Sequence, residues 1–156
     1  MSPLRRRILK FSGAAGALVL AAGTGLLRAG QAYAAAWNKN AFESKAVSEA
    51  LKGIGAANLI ESKDITITAP EIAENGAVVP VAISSKIPNT QSISVIAEKN
   101  PFPLTSTYDV AKGADAYVSI RLKLGETSNV RAVVKADGKY YTAVKEVKVT
   151  IGGCGG

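Results

Sequence analysis

The segment that decides the fold spans residues 117–124 and reads Tyr-Val-Ser-Ile-Arg-Leu-Lys-Leu. Every second side chain in it is apolar, and the side chains between them are polar or charged. The apolar set is Val118, Ile120, Leu122 and Leu124. Strict alternation of this kind predicts a β-strand that buries one face and exposes the other, as strands of antiparallel sheets commonly do.

A hairpin is predicted directly downstream. Residues 130–136 and 140–151 are rich in β-branched and aromatic side chains, and they flank Asp137-Gly138. Both turn residues tolerate a positive φ, which a two-residue hairpin turn requires. Lys145 interrupts the alternation in the second strand, so we expect a β-bulge near Lys145-Glu146.

Three further strands are predicted upstream, at 65–68, 78–83 and 92–97. Pro80 cannot donate to a strand ladder, so it indicates an edge strand or a bulge. Turn dipeptides separate the strands at Asn75-Gly76, Pro88-Asn89 and Asn100-Pro101. About seven short strands with frequent turns predict a mainly β protein, an immunoglobulin-like antiparallel β-sandwich in one domain.

One N-terminal α-helix is expected to precede the strands, over residues 38–52. Its apolar positions recur at helical spacing, Asn38 or Asn40 provides an N-cap, and Gly53 follows the last turn. The predicted apolar face consists of Phe42, Ala46, Val47, Ala50 and Leu51.

The first 34 residues resemble an export signal. They hold five of the 19 Lys and Arg residues and no Asp or Glu, followed by an apolar stretch and Ala32-Tyr33-Ala34. This order is typical of a cleavable signal peptide, and Arg5-Arg6-x-Ile8-Leu9-Lys10 resembles the twin-arginine motif. We expect cleavage after Ala34, or after Ala36, and a periplasmic mature protein. An uncleaved membrane anchor is the alternative, which the short, glycine-interrupted apolar stretch disfavours.

Without those 34 residues, 14 basic residues face 12 acidic ones, so the overall net charge of +7 falls to +2. Charges this balanced and scattered do not predict a nucleic-acid-binding surface. The chain has no His and a single Cys. Catalytic triads, Cys-His pairs, internal disulfides and cysteine- or histidine-ligated metal sites are therefore excluded, and we expect no cofactor.

The chemistry lies at the C-terminus, where the sequence ends Gly152-Gly153-Cys154-Gly155-Gly156. Glycine has no Cβ and samples most of φ/ψ space, so this segment predicts a flexible and narrow arm that carries a thiol. Five residues extend at most about 17 Å. The domain boundaries predicted are therefore 1–34 for the signal, 35–151 for the sandwich and 152–156 for the arm.

Nothing in the sequence activates the thiol of Cys154. The nearest cation along the chain is Lys148, and the terminal carboxylate of Gly156 is two residues away. A like charge disfavours a thiolate, so we expect an ordinary thiol that a partner protein activates. This favours a carrier over an enzyme.

The main alternative is a structural immunoglobulin-like module whose terminal Cys forms an intermolecular disulfide. Two other readings are a small thiol-transfer protein and a ubiquitin-like sulfur carrier that reacts at the Gly-Gly carboxylate.

The export signal, small β domain and terminal Gly-Gly-Cys-Gly-Gly together closely resemble the SoxY family, the carrier subunits of the bacterial thiosulfate-oxidising (Sox) system. The terminal motif is the specific part of this resemblance. Supporting segments are 69–81, 98–101, 121–124 and 147–150.

The resemblance implies that Cys154 is the covalent attachment point for sulfur intermediates and that SoxZ is the heterodimer partner. It further implies transient docking to the haem enzyme SoxXA, to the hydrolase SoxB and, where present, to a sulfur dehydrogenase. Twin-arginine export of a folded chain agrees with a partner that is carried out as part of a complex. Trp37, Tyr140 and Tyr141 are expected to anchor the core or an interface. Arg121 and Lys123 are expected on a solvated strand face, with attraction of anionic thiosulfate as the alternative.

Overall fold

The computed structural model describes residues 38–150, which form two helices and nine strands. The helices are α1 (Lys39–Phe42) and α2 (Val47–Gly53). The strands are β1 (Leu59–Glu61), β2 (Ile65–Thr68), β3 (Ile72–Ala73), β4 (Val79–Ser85), β5 (Thr90–Ala97), β6 (Leu104–Asp109), β7 (Tyr117–Leu122), β8 (Ser128–Ala136) and β9 (Lys139–Val149). The export signal, Trp37 and the predicted arm lie outside the described residues. None of the described helices is long and apolar enough to cross a membrane.

The strands form two sheets, as the sandwich prediction requires. One sheet has the order β1-β9-β8-β5-β6, with β3 also paired to β9, and the other has the order β2-β4-β7. The fold is therefore mainly β and consistent with an immunoglobulin-like sandwich. Most neighbours are antiparallel, but β1 and β3 both run parallel to β9.

The main core lies between the two sheets. The three-stranded sheet contributes Val79, Val81 and Ile83 of β4, and each of them is at most 1% exposed. Opposite them, β5 contributes Ile93 and Val95, which are fully buried. Burial of apolar area between the sheets is the main force that holds them together.

Strand β7 and the predicted hairpin are confirmed. The burial of β7 alternates along its length, with Leu122 buried and Arg121 exposed. Strands β8 and β9 are joined by Asp137 and Gly138, whose φ angles are +47° and +73°. These are the positive φ angles that the turn dipeptide predicted.

The predicted bulge near Lys145-Glu146 is wrong. The β8–β9 pairing runs without a shift of register from Ser128↔Val147 to Ala136↔Lys139. Lys145 pairs with Val130 and lies on the same face of β9 as Val147, half-buried. A lysine can occupy such a position because its aliphatic stem packs while its ammonium group reaches solvent. The irregularities of register lie instead in β5, at Thr90/Ser92 and Val95/Ile96.

Pro80 lies in the central strand of the three-stranded sheet, not in an edge strand. The β2–β4 pairing extends only to Thr68↔Ala82, so Pro80 lies beyond the end of β2 and pairs only with Arg121 of β7. One side of β4 is unpaired at this point, and the missing N–H therefore costs no ladder hydrogen bond.

The single helix predicted over 38–52 is wrong, because the chain forms two short helices instead. The Ser44 hydroxyl donates to the carbonyl oxygen of Asn40 at 2.7 Å, and Ala46 is extended, with φ −111° and ψ 139°. Serine side chains that bind nearby carbonyls compete with helix continuation. Ala46 is consequently exposed rather than part of an apolar face.

Asn38 caps α1 as predicted, and it also joins the two helices. Its side-chain oxygen accepts from the Ala41 N–H at 3.2 Å, and its Nδ2 donates to the carbonyl oxygen of Gly53 at 2.7 Å. Helix α2 ends at Gly53, where an added Cβ would lie 2.7 Å from the Cβ of Ala41. The helices approach each other so closely only because residue 53 has no side chain.

A second, smaller core attaches the helices to the outer face of the six-stranded sheet. Its buried residues are Ala41, Ala50, Ala56, Ile96, Leu104 and Val133. Tyr140 packs against this cluster, and its hydroxyl donates to the carbonyl oxygen of Ile54 at 2.9 Å. Tyr141, on the opposite face of β9, packs against the main core. Both tyrosines are therefore anchors of the core, as predicted.

Candidate functional site

The residues predicted to form the site are Cys154 and the four glycines Gly152, Gly153, Gly155 and Gly156, and they lie outside the described residues. The described chain ends at Thr150, one residue after β9. Thr150 is therefore the last described residue before the predicted arm. Cys154 is four residues beyond Thr150, so its Cα lies within about 14 Å of that point.

The end of β9 is paired with β3, a strand of two residues. Ile72 pairs with Lys148 and Ala73 with Val149, in parallel. The N–H of Lys148 donates to the carbonyl oxygen of Glu71 at 2.9 Å. A two-residue strand has no stability of its own, so its pairing depends on the sandwich behind it. Ala73 is buried in the main core and holds the pair in place.

Three hydrogen bonds fix the last described residues. The Thr150 N–H donates to the carbonyl oxygen of Ala73 at 3.1 Å, and the Thr150 hydroxyl donates to the carbonyl oxygen of Glu74 at 3.0 Å. On the other side, the Val149 N–H donates to the hydroxyl of Thr127 at 3.0 Å. The backbone at Thr150 is thus held from two directions, and it forms a fixed base from which the predicted arm starts.

The loops around this base are joined to one another. The Leu124 N–H donates to the carbonyl oxygen of Gly76 at 2.7 Å, which connects the β7–β8 loop to the β3–β4 loop. Asn100 Nδ2 donates to the carbonyl oxygen of Lys123 at 2.8 Å, and this bond connects the β5–β6 loop to the β7–β8 loop. All three loops lie at the end of the sandwich from which the predicted arm leaves.

The surface beside the base is partly apolar and partly acidic. Ile72 is 59% exposed although it lies in a strand, and Glu71 and Glu74 on either side of β3 are also exposed. Lys148, the partner of Ile72 in β9, is an exposed cation. The surface beside Thr150 therefore combines one apolar side chain with two carboxylates and one ammonium group.

Two open depressions in the described part of the chain lie elsewhere. One, of about 670 Å³, is lined by the β4–β5 and β6–β7 loops and by Asp137. It lies at the start of β9, roughly 35 Å from the base of the arm at the usual rise of a strand. The other, of about 440 Å³, lies between β1 and β9 beside Val144. Among residues 38–150, no group of three or more His, Cys, Asp or Glu side chains could hold a metal ion.

The structure describes two other residues that were singled out in the sequence, Arg121 and Lys123. Arg121 and Lys123 are exposed at the arm end of β7, as expected for a solvated strand face. The carbonyl oxygen of Lys123 accepts from Asn100, so this residue also contributes to the loop connections.

Sequence reasoning missed the residues that hold the base, namely β3, Thr127 and Thr150. A strand of two residues is too short to show alternation, and its partner is 76 residues away. The only signal was the likeness of segments 69–81 and 147–150 to a known family, which does not by itself say that the two segments are paired.

Comparison with known proteins identifies the family. A family model described as "Sulfur oxidation protein SoxY" matches residues 51–154, which include Cys154. The chain belongs to the SoxY family. No curated protein matches this SoxY-family chain in sequence.

A solved structure supports the same assignment. The sulfur carrier protein SoxY from Chlorobium limicola f thiosulfatophilum is 42% identical, with a TM-score of 0.60, and the match covers 67% of this chain and 98% of that chain. The human F-spondin reeler domain is 10% identical, with a TM-score of 0.41, over 60% of this chain and 94% of that one. The second likeness is too weak to carry an argument. The resemblance to the SoxY family stated from the sequence is thus confirmed.

Proposed function

We propose that this SoxY-family chain is a covalent carrier of sulfur-oxidation intermediates, attached at Cys154, and not an enzyme. The observation that carries the proposal is that the family match extends to Cys154, the only thiol of the chain. The fixed base at Thr150 supports it, because a carrier needs a body that stays in place while the thiol moves.

The proposed chemistry starts with thiosulfate and a haem enzyme, SoxXA, as oxidant. The thiol and thiosulfate are joined by a new S–S bond to give the Cys154 S-thiosulfonate, and one proton and two electrons leave, the electrons to the haem enzyme. A hydrolase, SoxB, then adds water across the terminal S–S bond. This step releases sulfate and a proton and leaves a persulfide on Cys154. A sulfur dehydrogenase, where present, would accept six electrons from the outer sulfur while three water molecules supply its oxygen atoms, which gives an S-sulfonate and releases protons. Hydrolysis of the remaining S–S bond would then release sulfate and restore the thiol.

The same proposal includes a partner chain and a compartment. We infer that SoxZ forms a heterodimer with this chain and that the pair is exported by the twin-arginine pathway to the periplasm, with loss of residues 1–34 or 1–36. Affinity isolation of the exported protein, followed by mass spectrometry of the second chain and of the new N-terminus, tests both parts. Recovery of the chain alone, or retention of the N-terminal segment, would contradict them.

The carrier role itself is tested by intact-mass measurement. The mature chain is incubated with thiosulfate and the haem enzyme, beside a Cys154→Ser control. We expect one S2O3 group on the native chain and none on the variant. A disulfide-linked dimer without any adduct would favour the structural module instead.

A further inference from the structure

The surface beside the base of the arm has the properties of a docking site. We propose that Glu71, Ile72 and Glu74, here called the arm-root surface, contact the basic rim of the cleft of an enzyme that takes up Cys154. This inference rests on the proposed function, since it supplies the contact that a carrier must make with its enzymes.

The arm-root surface lies close to the predicted arm. The backbone is fixed up to Thr150, and Cys154 lies within about 14 Å of it. An enzyme that draws the thiol into a cleft must therefore bring the rim of that cleft close to the residues bonded to Thr150. The carbonyl oxygens of Ala73 and Glu74 accept hydrogen bonds from Thr150. Ile72 pairs with Lys148, two residues before Thr150.

Ile72 is exposed although it lies in a strand. Its neighbour Ala73 is 6% exposed, and because side chains alternate along a strand, Ile72 must point outward. A rigid, outward-facing isoleucine gives an apolar contact that loses little conformational freedom on binding. The centre of a protein interface is commonly more apolar than its polar rim, and Ile72 between two glutamates has this arrangement.

The two glutamates give the arm-root surface a negative charge. The S-thiosulfonate proposed for Cys154 is anionic, so the exposed Glu71 and Glu74 repel a loaded arm from the body. A cleft that binds such an anion is expected to be cationic, and a cationic rim is attracted to the same two glutamates. Lys148 offsets part of this attraction. The glutamates therefore favour both an arm that points away from the body and a partner of the opposite charge.

The test uses the mature chain purified with its partner chain. In one variant Glu71 and Glu74 are replaced together by Lys, and in another Ile72 is replaced by Ser. The backbone hydrogen bonds at the base do not use these side chains, so the fold should persist, which a thermal unfolding curve checks. A Glu49→Lys/Glu61→Lys double variant is the matched control for charge, because it replaces two exposed glutamates, of α2 and β1, and changes the net charge by the same amount. Tyr117→Ser is the control for an apolar residue that is also 59% exposed.

Two rates are measured for each protein, the kcat/KM of thiosulfate loading by the haem enzyme and the rate of Cys154 alkylation by iodoacetamide. We expect kcat/KM to fall about tenfold in both arm-root variants, with a weaker dependence on salt in the Glu→Lys variant. The alkylation rate of every variant, and the kcat/KM of both control variants, should stay within about twofold of the value for the native protein.

The outcomes separate the two proposals. Failure of the native protein to accept thiosulfate would overturn the proposed function. Normal loading of the arm-root variants would overturn the docking surface and leave the carrier role standing. An equal loss in the control variants would also overturn the docking surface, since the effect would then not depend on position.

Discussion

The hydroxyl of Thr150 donates to the carbonyl oxygen of Glu74 at 3.0 Å, across 76 positions of sequence. This contact joins the last described residue of the chain to the residue that follows β3. It fixes the end of the described sandwich, after which the predicted arm follows. Replacement of Thr150 by Val keeps the shape of the side chain and removes the donor.

We expect Thr150→Val to cost about 0.5–1.5 kcal/mol of unfolding free energy and to accelerate amide exchange at Val149 and Thr150. Urea unfolding and hydrogen exchange measure the two effects. Thr66→Val, at an exposed threonine of β2, is the control and should change neither. Unchanged exchange in the Thr150 variant would show that the hydroxyl does not hold the base.

The arm itself is expected to depend on its narrowness. In a Gly153→Val/Gly155→Val variant, branched side chains flank Cys154 and restrict both backbone freedom and passage through a cleft. Enzymatic loading should slow by about one to two orders of magnitude, while alkylation by iodoacetamide changes little. Equal rates of loading would mean that the glycines serve another purpose.

Gly53→Ala tests the contact between the helices. Alanine normally favours a helix, but here its Cβ would lie 2.7 Å from the Cβ of Ala41. We expect a loss of about 1–3 kcal/mol in urea unfolding because the helices must separate. Ser48→Ala, at an exposed position of the same helix, should be neutral or slightly stabilising.

The pair formed by Arg131 and Glu98 links β8 to the end of β5. The guanidinium lies 2.7 Å from the carboxylate, both side chains are about one-fifth exposed, and Asn129 Nδ2 donates to the same carboxylate at 3.1 Å. Arg131→Met should cost roughly 1–3 kcal/mol, because it leaves Glu98 without its main partner. In a double-mutant cycle with Glu98→Gln, additive effects would show that the pair does not interact.

Gly138→Ala tests the hairpin. The φ of +73° at this position disfavours a Cβ, and open space surrounds it, so the cost comes from the backbone alone. We expect a loss of about 1–2 kcal/mol in urea unfolding. Asp137→Asn is the control, since asparagine tolerates the same left-handed conformation and should leave stability nearly unchanged.

The sequence predicted the parts of the fold that depend on local patterns. The alternation in β7 and the Asp137-Gly138 turn each act within a few residues, and both are present in the structure. The single helix failed because Ser44 binds the carbonyl oxygen of Asn40, a contact that apolar spacing does not reveal. The bulge at Lys145 failed because a lysine can lie in phase on the core-facing side of a strand.

The candidate site was predicted only in part. The composition of the last five residues pointed to Cys154 because glycine and a lone thiol are informative without any structure. The base of the arm was not predicted, since it consists of contacts between Thr150 and residues near position 73. Such contacts depend on the assembled sheets, and a short parallel pairing has no turn signal between its strands.

The parallel pairing of β3 with the end of β9 has a consequence for the order of folding. Parallel neighbours far apart in sequence assemble late, since much of the intervening chain must first be in place. In a partly folded molecule, the hydrogen bonds that hold Thr150 to residues 73 and 74 would therefore not yet have formed. The proposed twin-arginine export moves chains that have already folded, so under that proposal Cys154 would reach the periplasm with its base at Thr150 already formed.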